Sequence, residues 1–184
     1  MPDSIFPLLT EKNRRDMVDF YNNRMEAKVR NRLNDYVQLD TLTDDFMRLT
    51  LSAASTAEMK LLQTEDSVEI ICLIQSVTSP VKDSRVKFYS KDWQRLYWLE
   101  MPTPETTAFF AESPDSVTRD LRFAQRSIDD LRFVSISIDP AEPIFTFILS
   151  VEELEREQKT IARRYLRSLR YRWTGSRFEI VTKD

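Results

Sequence analysis

One glycine in 184 residues, Gly175, is the feature that most limits what this chain can become. Ordinary usage is roughly 7%. Loops that wrap several backbone amides around a phosphate need several glycines. The P-loop and the G-x-G-x-x-G dinucleotide turn therefore cannot be built. ATPase, kinase-like and nicotinamide-dependent activities are not expected. The glycine itself is expected in a closing hairpin, with strands from Leu169 to Trp173 and from Arg177 to Val181. A tight two-residue loop there needs the positive φ that glycine adopts freely.

The chain has no histidine and one cysteine, Cys72. Triads that use imidazole as base, two-histidine zinc signatures, intrachain disulfides and multi-cysteine metal sites are excluded. Carboxylate chemistry is not. With 27 Lys+Arg against 30 Asp+Glu, the net charge of -3 predicts no global attraction to nucleic acid or anionic lipid. No apolar run approaches the ~20 residues of a membrane helix. No cofactor and no metal are expected. The opening Met1-Pro2-Asp3-Ser4 carries no signal-peptide pattern, as in a cytosolic chain or one trimmed to its mature part.

Periodicity predicts an α+β fold, with helices on one face of antiparallel sheets. Thr10 is a candidate N-cap for a helix carrying Met17, Phe20 and Tyr21, whose spacing continues through Met25, Val29 and Leu33. The period then changes to two. Phe46 to Leu51 and Glu58 to Leu62 form a hairpin, and Val68 to Val77, apolar on both faces, is a central strand broken at Thr78-Ser79-Pro80. Arg85 to Tyr89 alternates. Ser90 is read as the cap of a short helix holding Trp93, Leu96 and Tyr97. Pro102 and Pro104 mark a connector over 101–112, dividing a first part, 1–100, from a second, 113–184, the two packed as one body.

In the second part, Ser113-Pro114 opens a helix bearing Val117, Leu121 and Ile128. Strands follow over Phe133 to Ile138 and Ile144 to Leu149. Ser150 and Glu153 match a capping box, which predicts a helix over 151–168 with Val151, Leu154, Ile161, Tyr165 and Leu169 as its stripe. Pro2-Asp3-Ser4-Ile5 and Pro114-Asp115-Ser116-Val117 each precede a helix, and Asp44-Asp45 and Asp129-Asp130 each precede a hairpin. The pattern suggests a tandem duplication of a helix-plus-hairpins unit.

Few constellations carry chemistry. Lys159 to Arg177 holds seven basic residues and no acid, interleaved with Tyr165, Tyr171 and Trp173. Arginines for phosphates and aromatics for stacking would suit a polyanion. A solvated helix face followed by a charge-guarded edge strand explains the same residues more simply. The Asp-Asp pairs suit caps or turns better than a shared site, because adjacent strand residues face opposite ways. Cys72, inside the most apolar strand, reads as an inert core thiol. Trp93, Tyr97 and Trp98 with Tyr89 form an aromatic cluster whose plainer use is packing. Tyr97 is expected to face inward, which leaves Trp98 as the aromatic to face a ligand. The candidate binding patch is Arg163, Arg167, Arg170, Arg172, Trp98 and Trp173, with no catalytic residue assigned.

Leu9-Thr10-Glu11-Lys12-Asn13-Arg14, Leu42-Thr43-Asp44-Asp45, Glu58 to Leu62, Ile71-Cys72-Leu73, Arg85 to Tyr89 with Trp93, and the closing Tyr171-Arg172-Trp173 with Phe178 resemble an uncharacterised family, a domain of unknown function, from gut Bacteroidales. The resemblance spans most of the chain and includes no catalytic signature. It implies an exported protein with a cleaved signal, resident in the periplasm or cell envelope, and it assigns no activity. The helix-plus-hairpin pattern is also similar to β-lactamase-inhibitor-like and PepSY-like envelope modules.

Three functional expectations follow. The leading one is a non-catalytic, exported envelope protein that binds a protein or envelope polymer through a sheet face or aromatic patch. The second is a nucleic-acid or polyanion binder acting through 159–177. The third is a carboxylate-based hydrolase, which needs two acids facing each other in a cleft.

Overall fold

A computed structural model describes residues 1–78, 80–111 and 115–181, with the side chains of 115–118 outside the description. Three α-helices and two antiparallel sheets make it an α+β fold, as the periodicity predicts. The chain divides into two units. The first is Met1–Val77 with Arg85–Glu100, and the second is Thr78–Ser84 with Met101–Asp184.

The first unit opens on helix α1, Glu11–Asn22. Thr10 caps it: its hydroxyl accepts from the Asn13 N–H at 3.1 Å, while Asn13 Oδ1 accepts from the Thr10 N–H at 3.2 Å. This is a capping box with Asn in place of the usual Glu or Gln. The helix does not continue through Met25, Val29 and Leu33. Arg24 takes φ 57°. Its N–H donates to the Tyr21 carbonyl at 3.0 Å, and the Met25 N–H reaches back to Phe20 at 2.9 Å. That pair of bonds is a Schellman stop, with arginine where glycine is the favoured residue.

The strain at Arg24 leads to a prediction. A left-handed L-residue costs roughly 1–2 kcal/mol, of which glycine's extra unfolded-state freedom recovers up to about 1. Arg24→Gly is therefore expected to raise stability by about 0.5 kcal/mol. A higher urea midpoint at unchanged slope would agree, and a lower one would not.

Six strands follow in sequence order as one meander: β1 (Lys28–Arg30), β2 (Tyr36–Leu42), β3 (Phe46–Ser52), β4 (Ser55–Gln63), β5 (Glu69–Thr78) and β6 (Lys82–Ser90). β1 and β2 stand where the helix was expected to continue and where no strand was read. Asn31 organises their turn, its side chain accepting from Leu33 and Asp35 N–H groups at 2.9 and 3.1 Å, with Asn34 at φ 64°. Cross-strand rows define one face: Leu39 pairs with Leu49 and Leu49 with Ala57, while Leu42 pairs with Met47, Met47 with Met59 and Met59 with Leu73. These residues join Phe6, Leu9 and Met17 in one core. β5 is buried continuously from Ile70 to Ile74, as its two-faced apolar run predicts.

The second unit holds helix α2 (Asp115–Asp130), β7 (Val134–Ile138), β8 (Ile144–Leu149), helix α3 (Arg156–Tyr165), β9 (Leu169–Trp173) and β10 (Phe178–Ile180). Its sheet order is β10-β9-β8-β7. The expected start of α2 at Ser113-Pro114, like the Pro114–Val117 motif and the break at Ser79, lies outside the described residues or their side chains. Leu121, Ala124 and Ile128 are the buried stripe of α2. Residues 101–111 are no loose connector. Thr106–Phe109 is a short 3-10 helix with Thr106 and Phe109 buried, and the Ala111 N–H donates to the Tyr165 carbonyl at 2.8 Å.

The helix expected over 151–168 starts later, at Arg156, and ends at Tyr165. Ser150 does not close a capping box. Its hydroxyl accepts from the Glu152 N–H at 3.1 Å, and Leu154 closes a turn onto Val151 at 3.3 Å. Val151 and Leu154 are buried from that turn, so their helical spacing misleads. The final hairpin is as read, with Gly175 at φ 105° and the Thr174 N–H donating to Arg177 at 3.0 Å. One unit carries a single helix before six strands. The other alternates helix, hairpin, helix and hairpin. The architecture does not confirm a duplication.

Candidate functional site

Helix α1 packs on β1 and β2. A helix is about 10 Å wide and strands are about 4.8 Å apart, so one helix covers roughly two strands. Over β3 and β4 a groove of about 780 Å³ reaches the apolar row Leu49, Met47 and Met59, in which Met47 is half-buried and Leu49 and Met59 are buried. Met17 and Leu39 complete its floor, and Trp93 forms one wall. Its rim carries Asp3, Glu11, Arg14, Arg15 and Asp19. A smaller hollow of about 200 Å³ shares Met47, Met59 and Trp93 and extends to Asp44, Asp45 and Lys60.

Trp93 is held by backbone geometry. No helix forms after Ser90. Instead the Ser90 N–H donates to the Gln94 carbonyl, and the Trp93 N–H to the Ser90 carbonyl, each at 2.9 Å. The Ser90 hydroxyl accepts from the Gln94 N–H at 3.2 Å. Trp93 sits at φ 63°, and its ring lies 5.7 Å from that of Tyr89 at a 49° tilt. An indole held in a left-handed turn is a local strain that persists because the surrounding bonds over-determine it.

The rim charges are largely matched. Arg14 meets Asp3 at 2.6 Å and Arg15 meets Glu11 at 2.5 Å. The hydrogen bond from Arg14 holds the Asp3 carboxyl below its ordinary range, against a smaller opposing effect of burial. A general acid near neutrality needs the opposite shift. The groove thus presents apolar floor and balanced rim rather than acid–base machinery. Among the described residues no group of three or more Cys, Asp or Glu is placed to hold a metal ion. Cys72 is fully buried and burial pushes its thiol far up, as an inert core position should be.

At the far end, Lys60 is only 3% exposed, in register between Phe46 and Cys72. Its ammonium meets Asp45 at 2.7 Å, and the Thr43 hydroxyl donates to the same carboxylate at 3.1 Å. The Lys60 hydrogen bond lowers the Asp45 pKa from its ordinary 3.8, outweighing desolvation. A depressed folded pKa gives stability that is present above 3.8 and lost as pH falls through the folded value. Removing one partner of a buried pair costs about 3–5 kcal/mol, and less here because Asp45 is half exposed. Asp45→Asn is expected to cost about 2 kcal/mol at neutral pH, and the gap should close as the pH is lowered toward 3. Thermal melts across that range check it. A pH-independent gap would contradict the ion pair's role.

Of the candidate patch in the second unit, Arg163, Arg167 and Arg172 have partners of their own. Arg163 meets Glu152 at 2.5 Å, and Lys159 shares that carboxylate at 3.4 Å. The Arg163 bond lowers the Glu152 pKa. Arg172 meets Glu142 at 2.9 Å, Arg177 meets Glu179, and Arg167 Nε donates to the Ala108 carbonyl at 3.0 Å. Arg170 is half-buried on β9. Acids on either side of the stretch, Glu142, Glu152 and Glu179, thus answer four of its seven basic residues. Trp173 is 4% exposed and packs at 5.0 Å on Phe178, so it is core. Trp98 is 67% exposed, and Tyr97, expected to face inward, is 81% exposed. Sequence reasoning missed Met17, Met47 and Met59. The pairing was hidden: a regular two-residue turn at 53–54 would set Met47 against Lys60, and only the register shift between Thr50 and Ser52 brings Met47 opposite Met59.

A solved structure of a domain of an uncharacterised protein from Porphyromonas gingivalis W83 is similar at a TM-score of 0.80 and 25% sequence identity, covering 100% of this chain and 94% of that one. Among proteins with curated descriptions, none matches this sequence. The family model described as "Protein of unknown function (DUF3256)" matches residues 1–178. The chain belongs to that family, DUF3256.

Proposed function

We propose that this is a non-catalytic protein of the cell envelope that holds a partner protein by gripping an amphipathic helix in the groove of its first unit. One observation carries the reading: a sheet with room for two helices on one face has α1 on β1 and β2, and a groove over the rest that Met47 and Trp93 border half-buried, with Met17 and Met59 beneath. Unbranched thioether side chains adapt to varied apolar surfaces and recur where helices dock into grooves. The matched rim makes long-range charge a small part of recognition, so apolar anchors set the affinity. The envelope location rests on the resemblance to exported proteins, and the similar envelope modules favour the same compartment.

Fluorescence anisotropy tests the binding. The probe is a synthetic amphipathic helix with leucines at i, i+4 and i+7. The expected result is saturable binding that the same peptide with scrambled leucines lacks. Equal binding of both, or of neither, overturns the reading. Binding of soluble peptidoglycan fragments in place of the helix would transfer the site to an envelope polymer. Fractionation of cells making the protein from its native gene tests the compartment, with the envelope fraction expected and the cytosol contradicting it.

A further inference from the structure

Three arginines lie on one side of α2. Arg119, Arg122 and Arg126 fall at i, i+3 and i+7, one helical face spanning about 10 Å. Leu121, Ala124 and Ile128 are buried on the opposite face. Between α2 and α3 the arginines line a cleft of about 920 Å³. Among the described residues none of the three forms an ion pair or a side-chain hydrogen bond, in contrast to Arg163, Arg172 and Arg177. Phe123, 60% exposed, is in the same cleft. Across from it α3 contributes Glu157, Gln158 and Ile161.

We propose that this cleft binds a phosphorylated sugar. Guanidinium groups grip phosphate oxygens in pairs, and three of them along one helix face can close on one phosphate from several directions. Phosphate alone does not account for the rest of the wall. Asp120 and Glu157 line the cleft as well, and two carboxylates oppose a long polyanion. They are the acceptors that sugar hydroxyls need, and Gln158 supplies both a donor and an acceptor. Phe123 and Ile161 offer apolar surface to the ring's C–H face. An anion at one end and hydroxyls on a ring are what this set of groups recognises together. The sugar phosphate can be a free molecule or a lipid headgroup. The proposal concerns the second unit and is independent of the groove in the first.

Calorimetry with the full chain tests it. The probes are glucose, mannose and galactose phosphates, the three parent hexoses and inorganic phosphate. At least one hexose phosphate should bind saturably, roughly tenfold or more tighter than its hexose or inorganic phosphate. Arg122→Gln with Arg126→Gln should remove that binding at an unchanged melting temperature. Glu157→Gln should weaken the hexose phosphate and leave inorganic phosphate unaffected or improved. Arg163→Gln, in the paired set, should change nothing. Vesicles of phosphatidylcholine with and without phosphatidylinositol separate the sources: sedimentation with the inositol lipid alone assigns the ligand to a headgroup, and binding of the free sugar phosphate alone assigns it to a soluble molecule. Equal affinity for inorganic phosphate and hexose phosphate, tighter binding of single-stranded oligonucleotide, or no binding of either free or lipid-borne sugar phosphate would overturn the assignment.

Discussion

Truncating Phe145 to alanine is expected to cost about 4 kcal/mol, the largest single loss of stability anticipated for this chain. Phe145 is fully buried on β8, paired with Tyr171 on β9 and Ile138 on β7, with the Phe178 ring edge-on at 5.4 Å. Two residues along the same strand, Phe147 meets Tyr171 at 5.1 Å. The missing ring leaves a cavity walled by strands on both sides, which cannot collapse without breaking the sheet's register. Typical domains hold only 5–15 kcal/mol in total. The second unit should therefore melt many degrees lower, while Phe145→Leu, which keeps most of the volume, should cost well under half as much. A guanidinium titration read by Trp173, buried in that unit, checks it. A loss below about 1 kcal/mol would mean that this sheet is not the packed core described.

The second large effect is on binding. Met47 is half-buried in the groove and Met59 lies beside it in register. A carboxylate at Met47 would meet the partner's apolar anchors without a countercharge. Met47→Asp is expected to weaken the amphipathic helix by about 2 kcal/mol, roughly thirtyfold in Kd. Met47→Leu, similar in volume, should stay within about threefold. An unchanged melting temperature of Met47→Asp separates a lost apolar contact from a damaged fold.

Much of the fold was legible in the sequence, and each failure has a local cause. Thr10 was readable as a cap because a cap needs one short polar side chain at a helix start. The end of α1 was not, because the stop falls on Arg24, where scarcity of glycine removes the usual mark. The same scarcity puts Asn34, Ser67 and Trp93 at positive φ, so three further turns lack their usual glycine. At Trp93 this turned an expected helix into a tight turn that presents an indole. Helix α3 was overextended because Val151 and Leu154 share a spacing that turns and helices both satisfy. The pairing of the basic stretch was illegible for another reason. Sequence shows charges in a row, but neutralisation by Glu142 and Glu152 depends on tertiary placement. Arg119, Arg122 and Arg126 were overlooked although their spacing was in plain view, since significance depended on what α3 sets opposite them.

The central claim, that the first unit's groove is a binding surface, is tested most directly by the methionine methyl groups. The chain has six methionines. Met1, Met17, Met47 and Met59 line the groove, whereas Met25 and Met101 do not. Methyl-labelled methionine gives an NMR signal for each. Titration with the leucine-bearing amphipathic helix should shift Met17, Met47 and Met59 along one saturation curve and leave Met25 and Met101 in place. Movement of Met25 or Met101 with the groove methyls silent, or no saturable shift at any methionine, would contradict the account.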